Sequence, residues 1–142
     1  MRPLTKSETK MLVAEARKAK TAAHAPFSGF RVGAAVLSSS GRMYHGCNVE
    51  NSSYGLTVCA ERVALFTAIA EGEHSFRAIA VSADGDIPVP PCGACRQVIS
   101  DLAGDVAVVI DAGTRGARKY QLKDLLPIAF GKKHLKPNRK RQ

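Results

Sequence analysis

The chain has 142 residues, 45% of them hydrophobic and 23% charged, and no apolar run approaches a membrane span, which predicts one folded, soluble domain. The formal net charge is +9, but six of the 21 basic residues lie in the last eleven positions, and the remainder has 15 basic residues against 12 acidic ones. The charge therefore predicts a basic, disordered C-terminal tail and argues against a nucleic-acid partner, although weak non-specific attraction to nucleic acid by the tail stays open.

The first predicted element is a helix over residues 5–22, because Thr5 and Glu8 are spaced as a capping box. No apolar segment of the kind that directs secretion precedes this helix, so we expect a cytoplasmic protein. After the helix, a proline and a glycine interrupt both the helical and the strand periodicity, which predicts a loop over residues 25–30.

A β-hairpin is predicted next. Small and β-branched residues over 31–37 predict a buried strand, a turn rich in serine and glycine follows, and residues 42–47 form the returning strand. The polar residues 48–55 then form a loop that leads into a helix, and such a loop lies at the rim of any site there. Asn48 and Glu50 are therefore candidates for substrate contact, although polar residues in such loops usually satisfy only turn geometry.

The second half of the chain alternates helices with strands. We predict helices over residues 59–70 and 93–103, and strands over 76–81, 106–110 and, as a short fifth strand, 120–122. Helical crossovers generate parallel neighbours, whereas the hairpin is antiparallel, so the fold class is α/β: a three-layer α/β/α sandwich with a mixed, about five-stranded sheet. We expect a single domain over residues 1–131 and the basic tail over residues 132–142.

Three of the four cysteines lie where helices are predicted to begin. Cys59 begins one helix, and Cys92 and Cys95 begin another within a Pro-Cys-Gly-Ala-Cys run. The partial positive charge of a helix N-terminus lowers the pKa of a thiol and favours the thiolate form that a metal requires. Three thiolates suit Zn²⁺ and leave its fourth position for water, so we predict one zinc ion on these cysteines. A thioredoxin-like redox pair is the alternative, and the third cysteine in a Cys-x-Glu context argues against it.

Glu61 lies two residues after Cys59. Structural zinc sites usually have four protein ligands, so a site with three cysteines and a neighbouring glutamate suggests catalysis. Zinc lowers the pKa of a bound water molecule toward about 7. Glu61 could then carry protons during hydrolytic deamination of an amidine-like ring carbon. Arg62, one helical turn from Cys59, is predicted to donate to a ligand sulfur, and the sequence leaves the same role undecided for Arg96.

Five segments carry a family resemblance: FRVGAA at 30–35, GCNVEN at 46–51, YGLTVCAER at 54–62, PCGACRQ at 91–97 and LLPIAFG at 125–131. Together they resemble the small, homotetrameric, three-cysteine cytidine deaminases of the cytidine and deoxycytidylate deaminase superfamily. The resemblance extends from about Pro26 to Gly131. The Cys-x-Glu and Pro-Cys-x-x-Cys elements alone would indicate only a zinc deaminase in general.

The resemblance implies zinc-dependent hydrolysis of cytidine and deoxycytidine to uridine and deoxyuridine with release of ammonia, a step of pyrimidine salvage. It implies that Cys59, Cys92 and Cys95 bind zinc, that Glu61 transfers protons, and that Arg62 donates to the ligand thiolates. For the substrate it implies two kinds of contact. The sugar hydroxyls would contact Asn48 and Glu50, and the pyrimidine would contact Phe30, the Ala60 backbone and Glu61.

The resemblance also implies a homotetramer in which active sites are shared, because Tyr54 and Phe130 match residues that approach the site of a neighbouring subunit. Phe27 stands where the family often has tyrosine, so a hydroxyl contact near the site is expected to be lost. Cys47 matches a cysteine that is not a ligand and is expected to serve in packing.

Two other functions are compatible with parts of the sequence. Another deaminase of the superfamily would act on a nucleoside antibiotic or on a base within RNA or DNA, but Glu50 would repel a phosphate, and polynucleotide sites are basic and aromatic. A structural zinc or nucleic-acid-binding module would need no catalytic carboxylate, so Glu61 and the open fourth position argue against it.

Overall fold

The computed structural model of the chain describes residues 2–135. Its helices are α1 (Lys6–Lys20), α2 (Ala60–Ala70), α3 (Gly93–Ala103) and α4 (Leu122–Leu125), and its strands are β1 (Val32–Ser38), β2 (Met43–Cys47), β3 (Phe76–Ala83), β4 (Ala107–Asp111) and β5 (Ala117–Gln121). Short 3₁₀ turns occupy Tyr54–Leu56, Gly113–Arg115 and Lys132–Leu135.

Most of these bounds agree with the sequence prediction within two residues, but the C-terminal region differs. The fifth strand was predicted at residues 120–122, whereas β5 spans Ala117–Gln121 and leads directly into α4, which was not predicted. All five residues of strand β5 are exposed and two of them are charged, so the strand lacks the alternating apolar pattern that identifies a strand. The first part of the predicted tail forms the last 3₁₀ turn, and residues 136–142 lie outside the described residues.

The sheet has the strand order β2-β1-β3-β4-β5. Strand β1 runs antiparallel to both β2 and β3, β3 runs parallel to β4, and β4 runs antiparallel to β5. Helix α1 covers one face through Leu12, Val13 and Ala16, whereas α2 and α3 bury Leu65 and Ile99 against the other. The predicted three-layer sandwich with a mixed five-stranded sheet is therefore confirmed.

Helix α1 begins with the predicted capping box. The Thr5 hydroxyl accepts a hydrogen bond from the Glu8 backbone N–H at 3.0 Å, and the Glu8 carboxylate accepts one from the Thr5 N–H at 3.0 Å. These two bonds satisfy N–H groups that have no partner within the helix, which fixes where α1 starts. None of the helices within residues 2–135 has both the length and the apolar character needed to cross a membrane.

The parallel arrangement of β3 and β4 positions the candidate site. The connection between these strands leaves the end of β3, passes through a loop that contains Pro90 and Pro91, and enters α3 at Cys92. Helix α2 begins at the same edge of the sheet, so the first turns of α2 and α3 lie side by side. The topology therefore brings together two cysteine motifs that are 33 positions apart in the chain.

Candidate active site

The three cysteines predicted to bind metal lie together at the beginnings of two helices. Cys59 is the N-cap of α2, Cys92 is the N-cap of α3, and Cys95 lies in the first turn of α3. Their three Sγ atoms lie within 4.8 Å of one another, and the Sγ atoms of Cys59 and Cys92 are 3.8 Å apart. The backbone N–H of Cys95 also points to the Cys92 Sγ, at 3.4 Å.

This geometry fits zinc. Two sulfurs that are each about 2.3 Å from a tetrahedral zinc ion are separated by about 3.8 Å, which matches the spacing of Cys59 and Cys92. Within the described part of the chain, the group contains three sulfurs and no fourth histidine, cysteine or carboxylate at comparable distance. The donor set is thus a three-thiolate set for one ion, which leaves one tetrahedral position for another ligand.

Arg62 lies beside the sulfurs. Its Nη2 donates to the Cys59 Sγ at 3.3 Å, and the hydrogen bonds to Cys59 and Cys95 raise the pKa of the guanidinium. The Arg62 Nε is buried and makes no hydrogen bond within the described residues. A half-buried cation at this position offsets part of the negative charge that three thiolates create.

The sulfurs also shift the pKa values of one another's thiols. The hydrogen bond from Cys95, together with the bond from Arg62, lowers the pKa of the Cys59 thiol to about 5. The same bond to Cys59, together with burial, raises the pKa of Cys95. Close thiolates repel each other, so a divalent cation between them would favour the charged form of all three.

Glu61 is buried at the first turn of α2, with only 5% of its surface exposed. Burial raises the pKa of its carboxyl to about 7, and the negative charge of Cys59 acts in the same direction. Ala60, the first residue of α2, is fully buried beside it. A carboxyl group with a pKa near 7 can both take up and release a proton at neutral pH, as acid–base catalysis requires.

Asn48 uses its side chain to connect the loop over residues 25–30 to β1. Its Oδ1 accepts from the Val32 N–H at 2.9 Å, and its Nδ2 donates to the Phe30 carbonyl at 2.9 Å. The residue is 7% exposed. Its amide therefore fixes the backbone on both sides of Arg31, and one Nδ2 hydrogen is left for another acceptor.

Glu50 makes a similar connection to the same loop. Its Oε1 accepts from the backbone N–H groups of Phe27 and Ser28 at 3.0 Å, and its Oε2 accepts from the Ser28 hydroxyl. These bonds, led by the one from the Ser28 hydroxyl, lower the pKa of Glu50. Ser28 was not among the predicted site residues, because a serine in a polar loop carries no signal that separates it from other turn residues.

The aromatic residues assigned to the site are exposed. Phe30 is 41% exposed, Phe130 57% and Tyr54 76%. The rings of Phe27 and Tyr54 meet edge to face with centroids 6.2 Å apart, and Phe130 stacks on His134 at 5.3 Å. The ring of Phe27 therefore packs against the ring of Tyr54. Cys47 lies outside the sulfur cluster and is half-buried.

Arg96 and Gln97 contact backbone rather than sulfur. Arg96 donates from Nε to the Pro91 carbonyl at 2.8 Å and from Nη1 to the Leu125 carbonyl at 2.9 Å. Gln97 donates from Nε2 to the Phe130 carbonyl at 3.0 Å. The sequence left the role of Arg96 undecided and assigned none to Gln97, because these carbonyl partners come from segments whose placement depends on the tertiary fold.

Comparison with known proteins agrees with this site. Residues 6–111 match the family model for the cytidine and deoxycytidylate deaminase zinc-binding region. A cytidine deaminase of Sporosarcina psychrophila is 46% identical over 129 residues, covering 90% of this chain and 95% of that protein. A cytidine deaminase of Halalkalibacterium halodurans is 48% identical over 124 residues, covering 87% and 94% of the two chains.

Solved structures show the same relationship at the level of the fold. The cytidine deaminase of Burkholderia pseudomallei superimposes with a TM-score of 0.81 at 47% identity, covering 85% of this chain and 98% of that one. The Mycobacterium tuberculosis cytidine deaminase superimposes with a TM-score of 0.75 at 42% identity, covering 86% and 96%. The match of sequence, fold and sulfur cluster shows that this chain belongs to the cytidine and deoxycytidylate deaminase family.

Proposed function

We propose that the protein is a zinc-dependent cytidine deaminase, which hydrolyses cytidine and deoxycytidine to uridine and deoxyuridine and releases ammonia. The observation that carries this proposal is the three-sulfur cluster beside the buried carboxyl of Glu61. The curated relatives that cover about nine-tenths of the chain are themselves cytidine deaminases, which supports the same reaction.

Glu61 is the proposed catalytic acid and base. The zinc ion, when bound, supplies Lewis-acid activation of water at neutral pH. Glu61 takes one proton from the attacking water and delivers it to the ring nitrogen next to the carbon that bears the amine. The water oxygen bonds to that carbon, and Glu61 then passes the second proton to the amine. The carbon–nitrogen bond breaks, and ammonia leaves with a carbonyl formed in its place.

The surrounding residues are proposed to hold the nucleoside. Asn48 and Glu50 would contact the sugar hydroxyls, the Ala60 backbone would read the cytosine ring with Glu61, and the ring of Phe30 would line the pyrimidine pocket. Glu50 is suited to this role because hydrogen bonds keep its pKa low and its carboxylate charged. A charged carboxylate accepts hydrogen bonds from hydroxyls and disfavours the phosphate of a nucleotide.

A homotetramer with shared active sites is proposed because the chain exposes an apolar surface. The surface is formed by α2, α3 and the C-terminal segment, through Phe66, Leu102, Ile128, Phe130 and Leu135, which are 36% to 104% exposed. An exposed apolar surface of this kind marks an interaction site on a folded protein. Tyr54 and Phe130 would reach the active site of a neighbouring subunit, in a cytoplasmic enzyme of pyrimidine salvage.

The activity test uses the purified full-length chain with known zinc content. Ammonia release and the absorbance change are followed with cytidine, deoxycytidine and free cytosine as substrates. We expect about one zinc per subunit and turnover of both nucleosides, with much weaker turnover of cytosine because it lacks the sugar contacts. Zinc-loaded protein that leaves both nucleosides unchanged would refute the proposed activity.

The assembly test is separate from the activity test. Sedimentation equilibrium of the zinc-loaded protein is expected to give a mass of four chains. Phe66→Glu, on the apolar surface, is expected to shift the equilibrium toward smaller species. Arg42→Glu, at the residue before β2, is the control and should leave the equilibrium unchanged. A wild-type protein that stays monomeric at micromolar concentration would exclude shared active sites.

A further inference from the structure

Arg96 joins two segments that are distant in the sequence. Its guanidinium donates to the Pro91 carbonyl at 2.8 Å and to the Leu125 carbonyl at 2.9 Å. Pro91 immediately precedes the ligand Cys92, and Arg96 itself immediately follows the ligand Cys95. One rigid, planar group therefore connects both ends of the Cys-x-x-Cys motif to Leu125, the last residue of α4, where the segment over residues 125–130 begins.

Gln97 adds a second connection to the same segment. Its side-chain amide donates to the Phe130 carbonyl at 3.0 Å. Arg96 and Gln97 thus hold residues 125 and 130 at two points, with a backbone between them in which Ile128 adopts a φ of 54°. A non-glycine residue in this left-handed region is held there by its surroundings rather than by its own preference.

We propose that Arg96 and Gln97 are positioning residues that couple the sulfur ligands of α3 to the placement of Phe130. A displacement of Cys92 and Cys95 displaces the start of α3 and, through the two side chains, the segment over residues 125–130. Coupling between two sites is reciprocal, so fixing the sulfurs orders this segment, and loosening the segment weakens metal binding. The effect on catalysis rests on the proposed function, in which the ring of Phe130 reaches the active site of a neighbouring subunit.

Hydrogen exchange measured by mass spectrometry tests the coupling without any activity assay. In the wild-type protein, removing zinc with a chelator is expected to accelerate exchange in peptides that cover residues 122–135. In the Arg96→Gln/Gln97→Ala double variant, these peptides are expected to exchange fast with or without zinc. An equal zinc-dependent difference in the variant and the wild type would overturn the proposal, whether or not cytidine is the substrate.

Kinetics test the consequence for substrate. Gln97→Ala, which removes one neutral hydrogen bond, is expected to raise KM for cytidine about 3- to 10-fold with little change in kcat. The same change in a Phe130→Ala background is expected to have no further effect, because Gln97 acts through that residue. Additive effects of the two changes would overturn the proposal.

Two further variants separate this role from a general loss of structure. Arg96→Lys carries all its donors on one nitrogen and cannot reach both carbonyls, so we expect it to weaken zinc binding. The thermal midpoint of its metal-free form should stay close to that of the metal-free wild type. Arg42→Gln, far from the cluster, serves as the matched control and should change neither exchange nor zinc affinity. An Arg96→Lys protein with wild-type zinc affinity and wild-type exchange would contradict the proposed role.

Discussion

The Nη2 of Arg62 donates to the Sγ of Cys59 at 3.3 Å, and this places a fixed positive charge against one of three clustered sulfurs. Arg62→Gln removes that charge, so we expect a 10- to 100-fold loss of zinc affinity or of kcat/KM, the usual cost of losing such a ligand partner. Competition with a chelating indicator measures the affinity. Arg42→Gln, which removes an arginine outside the site, is the control.

The Arg62 prediction has a clear opposite result. If the affinity of Arg62→Gln for zinc and its kcat/KM both stay within twofold of the wild-type values, the guanidinium does not compensate the thiolate charge. A loss of folded protein, seen as a large drop in the thermal midpoint of the metal-free form, would instead show that Arg62 is needed for folding.

Glu61→Gln keeps the size of the buried side chain but removes its ability to transfer protons. We expect kcat for cytidine to fall by about 10²- to 10⁴-fold, the usual contribution of acid–base catalysis. The three sulfurs should still bind zinc. Metal analysis and ammonia release on the same sample check both statements. Turnover close to wild type, with zinc bound, would remove Glu61 from the mechanism.

Gly46 lies directly beneath α2. A Cβ atom at this position would come within 2.4 Å of the Ala64 backbone nitrogen, which cannot move without displacing the helix that carries Cys59. Gly46→Ala is therefore expected to reduce the free energy of unfolding by about 3 kcal/mol or more, measured by urea denaturation. Gly55→Ala is the matched control, because a Cβ at Gly55 meets no atom within 4 Å and should change stability by less than about 0.5 kcal/mol.

A stability of Gly46→Ala close to that of Gly55→Ala would mean that α2 can move away from the sheet without cost. In that case the distance between Cys59 and the α3 cysteines would not be fixed by this contact. The same experiment at Gly33, where a Cβ would lie 2.0 Å from the Ala16 carbonyl oxygen, tests the corresponding contact on the α1 face.

The pH dependence of stability should depend on Asp111. Arg17 donates to both Asp111 oxygens at 2.7 Å, and this pair, which joins α1 to the end of β4, lowers the Asp111 pKa to about 2. Because the folded pKa lies below the ordinary value of 3.8, the stabilisation is complete above pH 4 and is lost as the pH falls toward 2. Asp111→Asn should therefore cost about 1–2 kcal/mol at pH 6 and almost nothing at pH 2.

Urea midpoints of wild type and variant across this pH range measure the difference. Asp86→Asn is the control for the chemical change, since Asp86 makes no side-chain hydrogen bond or ion pair among the described residues. A difference between wild type and Asp111→Asn that is the same at pH 2 and pH 6 would exclude an electrostatic origin.

Local patterns accounted for most of the fold. The capping box at Thr5 fixed the start of α1, and the position of each cysteine motif at a helix N-terminus followed from periodicity and turn residues. Strand β5 was misplaced because its stability comes from pairing with β4, not from its own sequence pattern. Helix α4 was not predicted because its stability comes from the packing of Leu122. Such elements have little local signal.

The sequence by itself determined the candidate reactive groups, three sulfurs of two motifs and one carboxyl group, since residue identity and spacing along a helix are local properties. The tertiary structure decided which partners the other side chains take. It directed Arg62 to a sulfur, Arg96 to two carbonyls, and Glu50 to the loop at Ser28. These choices depend on segments far apart in the chain, whose approach is set by strand order and by helix packing on the sheet.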